Sequence, residues 1–223
     1  MAEKVPSGHE FVATLVAEMQ RIFAGLGEQG ALEAESQGRV EVPTLLELAM
    51  RSEIEAAELA GFWMPSTPEL DVKQVFALQC ADEMKHYRLI AERLATLGRV
   101  VPADPMAGGY SPLYDYLKTL RTTVERVAAA PFAREAIAEV RNAQFIALCE
   151  RVGDRETATL YGDVIQPEEI HHHRAGRELL EKYCVDAESQ RLALAATLAT
   201  LAIADELSTL AEKRLGVHPI PAS

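Results

Sequence analysis

Apolar residues return every three or four positions along most of this chain, and runs that alternate with period two are nearly absent. Ala, Leu, Glu and Arg, all good helix formers, dominate those segments. The pattern predicts an all-α fold. A first helix is expected over about Glu10 to Leu26, stopping among Gly25, Gly27 and Gly30, where glycine readily takes the left-handed cap. After a polar linker, Pro43 suits the first turn of a second helix, whose face Leu46, Ala49, Glu53, Ala57 and Ala60 runs on to about Trp63. Ser66 and Glu69 have capping-box spacing and predict the start of a third helix that ends near Gly98.

The Pro- and Gly-rich stretch from Arg99 to Tyr110 breaks the pattern, Ser111-Pro112 restarts it, and Pro131 interrupts or restarts it again. Helices are then expected over about Phe132 to Val152 and Arg155 to Tyr183. The turn between them, Gly153-Asp154, is short enough to make them antiparallel. A last helix covers about Glu188 to Leu215. With 223 residues the chain is long enough for one well-cored domain, 1-223. Its core bundle would cover about 43-183, with additional helices at about 10-26, 112-130 and 188-215.

The strongest feature is an internal repeat. Asp82-Glu83-Met84-Lys85-His86-Tyr87-Arg88 aligns without gaps to Glu168-Glu169-Ile170-His171-His172-His173-Arg174. Each copy holds Glu-x-x-His, and residues three apart share a helix face, so a carboxylate and an imidazole can reach one metal ion. Thirty residues upstream of each copy stands another Glu, Glu53 before Glu83 and Glu139 before Glu169, each on a small, apolar face. A Glu buried on such a face is costly unless it is paired or binds a metal. Glu135 is the rival to Glu139, and the equal spacing selects Glu139.

One Glu from each of two helices plus Glu-x-x-His from the other two is the ligand pattern of di-iron carboxylate bundles. On these residues the chain, over roughly Pro43 to Tyr183, resembles the ferritin-like superfamily, nearest its rubrerythrin-like and di-iron oxygenase branches. The resemblance implies a ferritin-like four-helix bundle with additional N- and C-terminal helices. It implies two iron ions, with manganese or a mixed iron–manganese pair as the alternative. Glu83 and Glu169 would bridge the ions, Glu53 and Glu139 would be terminal ligands, and His86 and His172 would bind one ion each. It implies an oxidoreductase that activates dioxygen or peroxide, a monooxygenase or oxidase drawing on an electron donor and, in the first case, a small-molecule substrate. Iron handling or peroxide disposal is the second reading, though no Cys-x-x-C pair is present for a rubredoxin-type iron site. A metal-free interaction bundle is the third.

Pro167 should kink or bulge the helix just before the second copy, which makes Glu168 with His171 a competing ligand pair. His173 and Tyr87 occupy matching positions where a side chain could orient a ligand, and Arg88 and Arg174 are expected to pair with nearby acids. Tyr110, Tyr114 and Tyr116 could border a pocket, and Cys80 reads as a buried free thiol.

Charge narrows the partners. Lys and Arg number 22 against 34 Asp and Glu, a net charge of -12, which disfavours bulk nucleic acid and suits a protein that gathers cations. A single structured RNA on a local basic patch stays open. The three cysteines, Cys80, Cys149 and Cys184, are far apart, no secretory signal is visible, and a cytoplasmic location is expected. No segment reads as a membrane span. The apolar run from Leu192, broken by Thr197, Thr200, Asp205 and Glu206, predicts a buried helix or a homodimer interface.

Overall fold

The computed structural model describes residues 5–24 and 41–214, and its regular elements among these are all helices, with no strand. Helices α1 (Gly8–Ala24), α2 (Val42–Trp63) and α3 (Leu70–Thr96) come first. Two short helices follow, α4 (Pro112–Lys118) and α5 (Thr123–Val127). The rest are α6 (Glu135–Val152), α7 (Arg155–Leu160), α8 (Gln166–Tyr183) and α9 (Ala187–Arg214). The glycine stop expected at Gly25, Gly27 and Gly30, and the expected last residue Leu215, lie outside the described residues.

Local chemistry explains most boundaries. Ser111 caps α4 by accepting from the Tyr114 N–H at 3.1 Å, and Thr122 with Glu125 forms a reciprocal capping box at α5. Gly153 takes the left-handed conformation that ends α6, and Asp154 accepts from the Thr157 N–H at 3.1 Å to begin α7. Ser66 does not cap α3. It lies in a 3₁₀ turn, Met64–Ser66, and its hydroxyl donates back to the Trp63 carbonyl at 3.2 Å.

Pro131 breaks nothing. The chain passes from α5 to α6 through a π-helical segment, Ala128–Arg134, whose wider turns accommodate the ring and the missing N–H. A second π segment, Tyr161–Ile165, joins α7 to α8 just ahead of Pro167, where the sequence predicts a kink or bulge. Helices α2 and α3 pack as one hairpin and α6 and α8 as another, with α3 against α8. Helix α1 lies on α8, and α9 lies on the first π segment. The 99–110 stretch is fastened to α2 by Arg51, which donates to the Pro105 and Gly109 carbonyls at 2.7 and 2.6 Å.

Two apolar clusters form within the bundle. One holds Trp63, Phe76, Phe132 and Leu180, and the other Leu46, Ile90, Phe145 and Ile165. Along α2, along α3, and along the second π segment with α8, the order is the same: one cluster, then buried acids or histidines, then the other cluster. The bundle therefore carries a polar layer clamped between two apolar ones.

Candidate metal centre

Glu53, Glu83, His86, Glu169 and His172 meet in that polar layer, together with Glu135. All six are buried, with exposures from 0% to 7%, which shields them from bulk water. They fall into two sets: Glu53, Glu83, His86 and Glu169 form one, and Glu83, Glu135, Glu169 and His172 the other, with ligand atoms in each set within 4.8 Å of one another. Glu83 and Glu169 belong to both. The Glu83 Oε2 is 3.5 Å from His86 Nδ1, and its Oε1 is 3.6 Å from His172 Nδ1. Glu169 does the same, with Oε1 3.5 Å from His86 Nδ1 and Oε2 3.5 Å from His172 Nδ1.

The position of Glu139 differs from the expectation. It is half-buried one turn further along α6, outside both sets, and Glu135 stands in the place the equal spacing gave to Glu139. Residues four apart share a helix face but differ by about 6 Å in height. Periodicity fixes the face. The height is set by the turns, and the two hairpins turn differently: α2 to α3 through residues 64–69, α6 to α7 through Gly153 and Asp154 alone. Neither the loop difference nor the π segments carry a signal in the repeat alignment.

Glu135 is also the better-held carboxylate. Gln79 Nε2 donates to its Oε1 at 2.6 Å and Arg134 Nη1 donates to the same oxygen at 3.0 Å. Arg134 is anchored in turn by donating to the Ser52 carbonyl and hydroxyl of α2. Sequence reasoning passed over both. Gln79 lies four residues before Glu83 and so on its face, which is a usable signal, whereas Arg134 reaches its place through the π segment.

The competing pair Glu168 and His171 takes other roles. His171 is exposed, whereas Glu168 accepts from His86 Nε2 at 2.7 Å. In the matching position of the first copy, Asp82 accepts from His172 Nε2 at 3.2 Å. Each histidine is thus oriented by the acid that precedes the ligand Glu of the opposite copy. Because a carboxylate only accepts, each Nε2 carries a proton and each Nδ1 faces the ligand set. His173 does not orient a ligand: its Nδ1–H donates to the Phe132 carbonyl of the first π segment at 2.7 Å, and its ring stacks on Phe132. Tyr87 packs against an apolar cluster. Arg88 and Arg174 pair with Glu92 and Glu178, Tyr110 stacks on Tyr114 and donates to Glu58, and Cys80 is a half-buried free thiol.

Electrostatics match a site built for cations. Burial, reinforced by the neighbouring Glu83, pushes the Glu53 carboxyl up to about 8. Burial also raises Glu169 well above the usual range, with the charges of Glu83 and Glu135 adding to it. For Glu83 burial works the same way but is outweighed by Glu53, His86 and Arg134, which hold it low. His86 is raised to about 11, since Glu53 and Glu83 overcome the effect of burial.

Whether a metal fits can be judged from the atoms left without partners. Both oxygens of Glu83, Oε2 of Glu135, Oε2 of Glu169 and the Nδ1 atoms of His86 and His172 are buried and make no hydrogen bond. Such atoms are rare in folded proteins, and here they converge. Carboxylate with imidazole, and no thiolate, suits iron or manganese.

Fold and side chains together define a helical bundle with a buried carboxylate–histidine centre able to bind metal ions. The ferritin-like domain model matches residues 59–183, more than half of the chain, and the chain belongs to the ferritin-like domain family. The match takes in Glu83, His86, Glu135, Glu169 and His172, while Glu53 lies just upstream of it. No curated protein and no solved structure matches the chain. Among the described residues no helix is long and apolar enough to cross a membrane.

Proposed function

We propose that this chain is a di-iron carboxylate oxidoreductase that activates dioxygen, acting as an oxidase or as a monooxygenase on a small organic substrate. The observation that carries this reading is the division of Glu83 and Glu169, each with one oxygen toward His86 and the other toward His172. That is what two carboxylates bridging a pair of ions require. Glu53 would complete one ion's ligands and Glu135 the other's. An iron pair, when bound, supplies the electrons with which dioxygen is reduced. The chain's own residues do the rest. Glu168 and Asp82 fix the imidazoles, Gln79 and Arg134 hold one oxygen of Glu135 so that the other faces inward, and the apolar clusters keep water out. Manganese, alone or with iron, suits the same donors.

A second reading, iron oxidation for storage or removal of peroxide, draws support from how closed the layer is. None of the six ligand candidates is more than 7% exposed. A shallow surface cavity of about 420 Å³ between α3 and α8, lined by residues such as Gln74, Leu78 and Leu179, includes none of them. Ions and diatomic oxidants need less room than an organic substrate.

Anaerobic loading with Fe(II), followed by mixing with oxygen or peroxide, tests both readings. Two irons per chain, with oxygen consumed repeatedly in the presence of a reductant, is the expected result. Iron held in soluble form far beyond two per chain would favour storage, and a marked preference for peroxide would favour its disposal. A chain that binds no iron would defeat both.

A further inference from the structure

In the two heptapeptides the acids and histidines match role for role. Lys85 in the first copy stands where the second has His171. The Lys85 ammonium donates to Asp82 Oδ1 at 3.1 Å and to Glu168 Oε1 at 2.6 Å. Those two carboxylates use their other oxygens to receive the Nε2–H groups of His172 and His86. One cation therefore sits at the middle of an unbroken chain of contacts: His86, Glu168, Lys85, Asp82, His172. His171 holds the matching position, but its imidazole is exposed and bridges no such pair of acids.

Asp82 and Glu168 come from different helices, α3 and α8, and both reach the same nitrogen, so they are close to each other as well. Two carboxylates so placed repel, and each is partly open to water, with side-chain exposures of 17% and 30%. Without a cation between them the favourable move is outward into solvent. That move would release both imidazoles at once, since each ring is held at Nε2 by one of these acids.

We propose that Lys85 is a positioning residue that clamps Asp82 and Glu168 together, fixes both histidine rings, and thereby couples the affinities of the two metal positions. The inference rests on the two-ion reading above. It assigns to one half-buried lysine a role that spans both halves of the site, although Lys85 touches no ligand atom.

Two measurements test it. Cobalt(II) titration of metal-free protein under nitrogen reads the two affinities through the absorption of the bound ion. Lys85→Met should weaken both positions together by about 10- to 100-fold, whereas Asp82→Asn and Glu168→Gln should each weaken mainly one. Proton NMR of the metal-free chain reads the clamp without any metal. The wild type should show exchange-protected Nε2–H signals of His86 and His172, and Lys85→Met should lose both while the His173 Nδ1–H signal stays. The exchange K85H with H171K puts the ammonium at the equivalent position of the other copy, and should restore both affinities and both signals relative to K85H alone. Wild-type affinities and both signals in Lys85→Met would overturn the proposal, as would the loss of only one position or a failure of the exchange to restore either. Should the wild type itself take up no pair of ions, the two-ion reading fails, and the ring signals still decide on the clamp.

Discussion

Glu135 has little choice of direction. Gln79 and Arg134 both donate to its Oε1, so its Oε2 is turned into the layer without a partner. In Glu135→Gln the amide oxygen would keep those two donors and the amide nitrogen, which has no lone pair to offer a metal, would take the place of Oε2. We expect that variant to lose about one of the two ions proposed above, by metal analysis after gel filtration, while Glu139→Gln retains both. The reverse result would assign the ligand to Glu139. That Glu53, Glu83, His86, Glu169 and His172 would meet in one layer was legible in the sequence, because a duplicated motif and a small apolar face announce themselves in one dimension. Choosing between Glu135 and Glu139 needs the height of one helix against another, which the repeat does not encode. Asp82, Glu168 and Lys85 were visible within the repeat, but their roles depend on contacts between the two copies.

At the scale of elements, the π segment Ala128–Arg134 delivers both Arg134 and Glu135, and α8 holds it by close approach as well as by hydrogen bonding. Gly176 makes the approach possible: a Cβ there would stand 2.6 Å from the Pro131 carbonyl carbon and 2.7 Å from the Phe132 nitrogen. Those are backbone atoms, so they cannot swing aside. Gly176→Ala should therefore force the helices apart at a cost of about 1–3 kcal/mol, lower the melting temperature by ~2–4 °C per kcal/mol, and weaken metal uptake at the position proposed for Glu135. A thermal melt paired with a metal titration checks it, and an unchanged melt would show that the helices can slide. Helix ends at Ser111 and Gly153 could be read because caps have local chemistry. The π turn at Pro131 could not, since a proline marks an irregularity without saying whether the helix stops or widens.

At the scale of the molecule, the layer of acids between two apolar clusters opposes folding unless something neutralises it. In the metal-free chain protons do so. Glu53, at about 8 against an ordinary 4.5, and Glu169, also raised, keep protons in the folded state that the unfolded chain releases, and their contribution to stability is lost as pH rises from about 5 to 8. His86, raised to about 11 from 6.5, acts in the same direction above pH 6.5. Glu83, held low, acts oppositely but only below pH 4.5, as its contribution is lost when pH falls. Each proton so retained changes stability by about 1.4 kcal/mol per pH unit. Chelator-stripped protein should accordingly melt higher at pH 5.5 than at pH 8 by at least roughly 5 °C. Metal should reverse that order, because ions displace the protons and bind more tightly as pH rises. A stripped protein whose melting temperature rises steadily from pH 5.5 to 8 would contradict it.

The clamped layer also governs timing. Apolar side chains close it above and below, and helices wall it at the sides, so whatever occupies it leaves only when the wall parts. Departure is then paced by the opening of the protein itself and not by the appetite of an outside scavenger. A bound pair would be held by a slow door as much as by strong bonds, and its lifetime would belong to the bundle's own motions.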